Sequence, residues 1–393
     1  MSSDPSVSDQ SLCVRHPAPP LIGFSSLAVP TYRASTITFD TVEDYHRRGE
    51  RGVDGYSYGL AGTPTTRVLE MQITALHRGA GTLIVPSGQA AITLFMLTVL
   101  TSGDHLLVTD NVYSPVRRFC SDIITPLGIS TDYFDPLDVG TLAQLIRPST
   151  RLIWLESPGS TTMEVADIPA IVALARANDT LTACDNTWAS PLLLKPLGLG
   201  VDMVAEALTK YVGGHSDLLL GAMTFASEEL RVRVRARLST LGIGVSPDEC
   251  ALALRGIETM PVRISHVGRV ARDFAERLRH FDIVAEVLHP TLPSARGHDA
   301  FKRDFRGGSG VFSLRLKPVD PARIDHALTG LRSFVIGSSW GGTRSIIAPM
   351  QVTREHPVDD HMNEATFLRI SIGLEDPAEL WSDLEALVTR LAT

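Results

Sequence analysis

Five short apolar runs constrain the fold of this chain more than any other feature. They are Thr82–Val85, His105–Val108, Arg151–Leu155, Leu181–Cys184 and Val201–Val204. Helical patterns lie between most of them. Val68, Leu69, Ile73 and Leu76 share one face, and a further helix is expected to open at Asp167-Ile168-Pro169, with an acidic cap and a proline in its first turn. Short buried strands alternating with helices predict an α/β fold, a largely parallel sheet flanked by helices on both faces. Ligands of such sheets sit at the carboxyl ends of the strands, where the polar candidates of this chain also fall.

The pattern changes after about residue 256. Val267, Val270, Ala271, Phe274, Leu278 and Phe281 define a long amphipathic helix, and residues 310–316 and 367–372 alternate as strands. A last helix is expected from the capping carboxylate Asp376, with Glu379 three residues on, burying Leu380, Leu384, Leu387 and Leu391. Residues 256–393 thus read as a smaller C-terminal α+β domain, and 61–255 as a large domain. Residues 1–60, rich in Ser, Pro and Gly, read as an extended arm lying on a neighbouring subunit.

A net charge of -8 argues against a nucleic-acid or anionic-membrane partner. No apolar run approaches the roughly 20 residues that span a bilayer, and the polar N-terminus has no signal-peptide pattern. Cys13, Cys120, Cys184 and Cys250 are widely spaced, with no metal-ligand pattern, and read as reduced core thiols of a cytoplasmic protein.

The chemistry concentrates in Thr209-Lys-Tyr-Val-Gly-Gly-His-Ser-Asp217. Lys210 follows an apolar run and precedes a small-residue loop. An amine in such partly dry surroundings loses some preference for the ammonium form, and the neutral amine attacks carbonyls. Asp185 ends another strand-like run. An amine able to bond an aldehyde, and a carboxylate able to keep a pyridine nitrogen protonated, are what pyridoxal phosphate (PLP) asks of a protein.

Three further features carry two readings each. Pro86-Ser87-Gly88-Gln89 follows a strand and opens a helix, so its N–H groups suit a phosphate; it would serve equally as a plain connection. Tyr113 suits stacking on a flat cofactor, or simple packing. Leu368, Ile370 and Ile372 share one strand face, so Arg369 points the other way. It suits a substrate carboxylate gripped by two parallel bonds, or a surface ion pair.

Together, from about Tyr32 to the C-terminus, these motifs resemble the Cys/Met-metabolism family of fold-type I PLP enzymes, which have the aspartate-aminotransferase-like fold. Residues 209–217 are close to a signature of that family. Residues 156–165, Asp185-Asn-Thr-Trp188 and Ser339-Trp-Gly-Gly342 are most similar to its cystathionine β-lyase branch, and Trp340 stands where γ-acting branches usually carry leucine. The resemblance implies that Lys210 carries the PLP and shuttles the Cα proton, with Asp185 on the pyridine nitrogen. Tyr113 would stack on the ring and help accept a proton, and Ser87, Gly88, Gln89, Thr187 and Thr209 would hold the cofactor. Tyr58 would reach the phosphate and substrate of a neighbouring subunit, so active sites would be shared across dimers within a homotetramer. Arg369, Ser339 and Trp340 would bind the amino-acid substrate.

The resemblance also implies a trans-sulfuration reaction of methionine biosynthesis, in which L-cystathionine and water give homocysteine, pyruvate and ammonia. Another cysteine S-conjugate, a γ-acting reaction and a non-catalytic scaffold are the rival expectations. Two regions depart from the pattern. Leu60 replaces an arginine that binds phosphate in many relatives, a bond worth about 1.5–3 kcal/mol, and Arg48 or Arg51 is expected to compensate. Ala61, Arg118, Ser338, Thr343 and Arg344 rewrite the distal end of the substrate pocket.

Overall fold

The computed structural model describes residues 7–16, 26–357, 359 and 361–392. The parts of the expected arm at 1–6 and 17–25 lie outside the described residues. The large sheet contains β1 (Gly81–Val85), β2 (His105–Thr109), β3 (Ser130–Phe134), β4 (Thr150–Glu156), β5 (Leu181–Asp185), β6 (Met203–Glu206) and β7 (Gly221–Phe225), in the order β1-β7-β6-β5-β4-β2-β3. Only β7 runs against its neighbours. The expected largely parallel sheet is therefore present, with two strands, β3 and β7, that the apolar runs did not announce.

Alternate residues along the strands feed two cores, as a period of two requires. Leu83, Val85, Leu106, Val108 and Trp154 pack with Ile92 and Phe95 of the helix Gly88–Val99 on one face. Ile84, Leu107, Ile153 and Cys184 pack on the other with Leu69 and Ile73 of the helix Pro64–His77, and with Ile171 of the helix Ile168–Ala177. Each such fully buried aliphatic side chain contributes roughly 1.5–3 kcal/mol. Asp167 caps its helix as expected, accepting from the Ala170 N–H at 3.2 Å.

A second sheet, β8 (Val284–Leu288), β9 (Val311–Leu316), β10 (Val335–Ile336), β11 (Ile346–Met350) and β12 (Phe367–Ser371), has the order β10-β11-β12-β9-β8 and is antiparallel except between β10 and β11. Asp376 accepts from the Ala378 N–H at 2.8 Å and starts the last helix, Pro377–Ala392. One 32-residue helix, Pro247–Leu278, runs through the expected boundary at 255/256 and joins the two sheets' cores.

The arm is not extended throughout. Asp9–Val14 is a helix that buries Cys13 in the chain's own core, and Asp9 pairs with Lys195 at 3.1 Å and Arg306 at 2.8 Å. Among the described residues, no helix is long and apolar enough to cross a membrane.

Candidate active site

The carboxyl ends of β1, β4, β5 and β6 open into one cavity of about 240 Å³. Lys210, Asp185, Tyr113, Thr187, Thr209 and Arg369 line it, as do Ser87, Gly88, Gln89 and Trp340. Ser339 joins them through its hydroxyl, which accepts from Lys210 Nζ at 2.8 Å. The cavity thus gathers residues drawn from positions 87 to 369, spanning both sheets.

Lys210 owes its place to close packing. A side chain on Gly256, in the long helix, would meet the Val212 carbonyl oxygen at 2.2 Å, and one on Gly214 (φ +72°) would meet the Arg263 guanidinium at 2.1 Å. Arg263 is buried and donates to the Tyr211 carbonyl at 2.8 Å and the Gly256 carbonyl at 2.6 Å. The small-residue loop after the lysine is therefore what lets helix and loop touch. Burial lowers the amine's pKa to about 8, helped by Arg369 and opposed by Asp185. Such an amine is much more often neutral near pH 8 than an exposed lysine, as a carbonyl nucleophile needs.

Asp185 ends β5 and accepts the Thr187 N–H at 2.9 Å. Burial pushes its carboxyl up, the Thr187 hydrogen bonds pull it down, and Glu206 pushes it up again. A cationic ring nitrogen placed against it would restore the charged form. Glu156 lies beside it in the cavity wall, accepting the Tyr113 N–H at 2.7 Å. Burial first, then Asp185, drives its carboxyl far above the usual range. The residue pattern around Glu156 does not mark it as a site residue, because nothing in a lone sequence reveals that β4 and β5 end side by side.

Tyr113 is half-exposed at the mouth. Burial of its ring and the nearby Glu156 raise its pKa, while Arg369 opposes them. At the mouth its ring is placed to stack on a flat cofactor and its hydroxyl to hydrogen-bond. Arg369 is buried and donates from Nη2 to the Ser338 carbonyl at 2.7 Å, so the surface ion pair is ruled out. Its Nε and Nη1 make no hydrogen bond among the described residues, leaving N–H groups for a carboxylate.

The residues present fit PLP. Gly88 and Gly221 press the strand-to-helix turn against the sheet, since a side chain on either would meet Ala207 at 2.6 Å or the Ser87 carbonyl at 2.1 Å. This leaves the first N–H groups of a twelve-residue helix facing the cavity. Gln89 Oε1 is buried there with no partner among the described residues.

The structure does not bring two groups of candidates to this cavity. Tyr58 is 57% exposed and does not line it. Arg48 donates to the Tyr45 carbonyl and Arg51 to the Tyr56 carbonyl, each at 2.9 Å, and both lie over aromatic rings of the same segment. Arg118 pairs on the surface with Asp122, and Arg344 with Glu375.

Known proteins resemble the chain over nearly its whole length. A family model described as Cys/Met metabolism PLP-dependent enzyme matches residues 11–388. A cystathionine beta-lyase from Bordetella avium is 37% identical over 382 residues, covering 96% of this chain and 95% of its own. An L-alanine/L-glutamate racemase from Wolbachia pipientis wMel is 36% identical over 380 residues, covering 93% of each. The crystal structure of a cystathionine gamma synthase from Xanthomonas oryzae pv. oryzae in complex with cystathionine superposes with a TM-score of 0.89 at 29% identity, covering 98% of this chain and 99% of that one. With the cavity's amine, carboxylate and glycine-lined turn in place, the chain belongs to the Cys/Met metabolism PLP-dependent enzyme family.

Proposed function

We propose that the chain is a carbon–sulfur β-lyase that converts L-cystathionine and water to homocysteine, pyruvate and ammonia. The observation that carries this reading is the meeting of Lys210, Asp185 and Arg369 in one cavity. When bound, PLP supplies an electron sink for the charge left at Cα. Lys210 would carry it, Asp185 would keep its ring nitrogen protonated, and Ser87, Gly88, Gln89, Thr187 and Thr209 would hold its phosphate end and ring. Arg369 grips the substrate carboxylate, and its Ser338 anchor fixes the angle of approach. Lys210 Nζ, free once substrate is bound, takes the Cα proton. Ser339 orients that amine, and Trp340, with its ring centre 5.4 Å from Nζ, covers it from water. The Cα electron pair then forms the Cα–Cβ double bond as Cβ–S breaks with its pair on sulfur; the thiolate takes up a proton to leave as homocysteine, and water converts the three-carbon remainder to pyruvate and ammonia. The Bordetella relative's name and the tryptophan at 340 support β- over γ-elimination.

We further infer a cytoplasmic homotetramer in which Tyr58 serves a neighbour's cavity. Its exposure, away from its own chain's cavity, supports this reading. Incubating the PLP-loaded protein with L-cystathionine tests the reaction. Pyruvate and homocysteine are expected; 2-oxobutanoate and cysteine would make the enzyme γ-acting. The racemase relative favours a second reading, because racemisation uses the same Cα proton transfer. Chiral analysis after incubation with L-alanine or L-glutamate separates it, the β-lyase reading predicting pyruvate from cystathionine as the faster product.

A further inference from the structure

Two walls of the cavity come from loops of the large domain. One carries Tyr113, between Asp110 and Arg117. The other is the segment 158–163, where Thr161 (φ 65°) and Met163 (φ 60°) both sit in the left-handed region that favours glycine. Such backbone persists only where surroundings hold it.

Arg354, from the stretch after β11, reaches behind both walls. Its Nε donates to Asp110 Oδ2 at 3.1 Å; its Nη1 donates to Glu164 Oε1 at 2.9 Å and to Thr162 Oγ1 at 3.2 Å. Arg354, Asp110 and Glu164 are all buried, yet none lines the cavity. The Glu355 and His356 N–H groups add bonds to Asp110 at 3.0 and 2.7 Å, so the whole segment docks on that carboxylate. Asp110 also pairs with Arg117, whose Nη2 donates to the Asp110 carbonyl at 2.8 Å, and this brackets Tyr113 from both sides. Glu164 ties back to the strained wall, its carbonyl accepting the Gly159 N–H at 3.0 Å. A guanidinium suits this geometry because its planar fork can serve two carboxylates at once, where an ammonium is a single point charge.

We propose that Arg354 is a positioning residue of the lyase site: by clamping Asp110 and Glu164 from the second domain, it fixes Tyr113 and the 158–163 wall relative to each other. The proposal rests on the β-lyase reading only for the activity by which it is measured. Because a buried ion pair is costly to break from one side, the substitutions are graded as Arg354→Lys and Arg354→Met, with Arg315→Met as a control. Arg315 pairs with Asp359 near the same segment and away from the cavity.

The PLP-loaded proteins are compared by steady-state kinetics on L-cystathionine and by amide hydrogen exchange. Since a misplacement of about 1 Å can cost on the order of 10²-fold, Arg354→Met should lower kcat by about 10- to 100-fold with a smaller change in KM. Arg354→Lys should recover part of that loss, and the control should stay within about twofold. Exchange should quicken in 110–117 and 158–164 together, and not in the control. An Arg354→Met protein that keeps kcat within about twofold of the parent, or that loosens everywhere or at one wall alone, overturns the proposal. If Arg354→Met does not fold, the same two-wall loosening is required of Arg354→Lys, and its absence there overturns the proposal as well. A parent protein inactive on cystathionine defeats the β-lyase reading instead, and the exchange experiment still decides the clamp.

Discussion

The cavity floor and the segment 42–61 were both expected to serve the cofactor, and they are built in opposite ways. At the floor, Lys210, Asp185 and Glu156 sit at the ends of adjacent elements, and glycines at 88, 214 and 256 let neighbouring segments press together. In the segment 42–61, Tyr58, Arg48 and Arg51 are exposed, and the two arginines bond to their own segment. The floor draws its residues from one chain, whereas Tyr58, Arg48 and Arg51 do not line that chain's cavity. Chemistry carried by the floor should therefore survive any change of assembly, and chemistry carried by the arm should not.

Substitutions break this comparison in graded steps. Lys210→Ala should lower kcat by on the order of 10⁴ or more, because nucleophile and proton carrier go together; steady-state turnover of cystathionine checks it. Asp185→Asn should cost on the order of 10²–10³ in kcat, the scale for removing a preorganised charge from a dry site. Arg369→Lys should raise KM by about 10- to 100-fold with a smaller effect on kcat, since an ammonium loses the paired hydrogen bonds to a carboxylate.

Arm substitutions should do less, and through cofactor affinity. Tyr58→Phe should weaken PLP binding by about tenfold, from one lost bond to a charged group. Arg48→Ala with Arg51→Ala should cost less still if neither reaches a neighbour's phosphate, and a similar amount if one replaces the arginine absent at Leu60. Equilibrium dialysis of PLP distinguishes these outcomes.

The pH dependence sharpens the same contrast. Uptake of PLP by the apoprotein needs the neutral amine of Lys210, whose pKa is lowered to about 8. The neutral fraction grows as pH rises through that value, so the uptake rate should climb between about pH 7 and 8 and level off above about 9. Stopped-flow absorbance measures it, and a rate still climbing beyond pH 10 would place the amine in water.

Much of the floor was legible because it depends on local patterns. The alternation around Arg369 correctly turned it away from Leu368 and Ile370, and Ser371 beside it accepts the Gly341 N–H at 3.3 Å. The turn at 86–89 announced a helix start, and Ser87 caps it, accepting from the Ala90 N–H at 3.0 Å. What stayed hidden depends on neighbours. β3 is an edge strand of mixed polarity, Ser130–Phe134, with little apolar signal, and β7 reads Gly-Ala-Met-Thr-Phe, short of branched side chains. The strand expected at Val201–Val204 begins two residues later, at Met203, and the Asp202 side chain just before it accepts the Thr182 N–H at 2.8 Å. Arg354 and Asp110, 244 residues apart in sequence, carry no local sign that they meet.

The most direct test of the account is to find where the cofactor is attached. The PLP-loaded protein would be reduced with borohydride, digested, and its peptides identified by mass spectrometry. The account predicts one modified peptide, with the pyridoxyl group on Lys210. A group on Lys195 or another lysine, or a fully loaded protein with none attached, would contradict it.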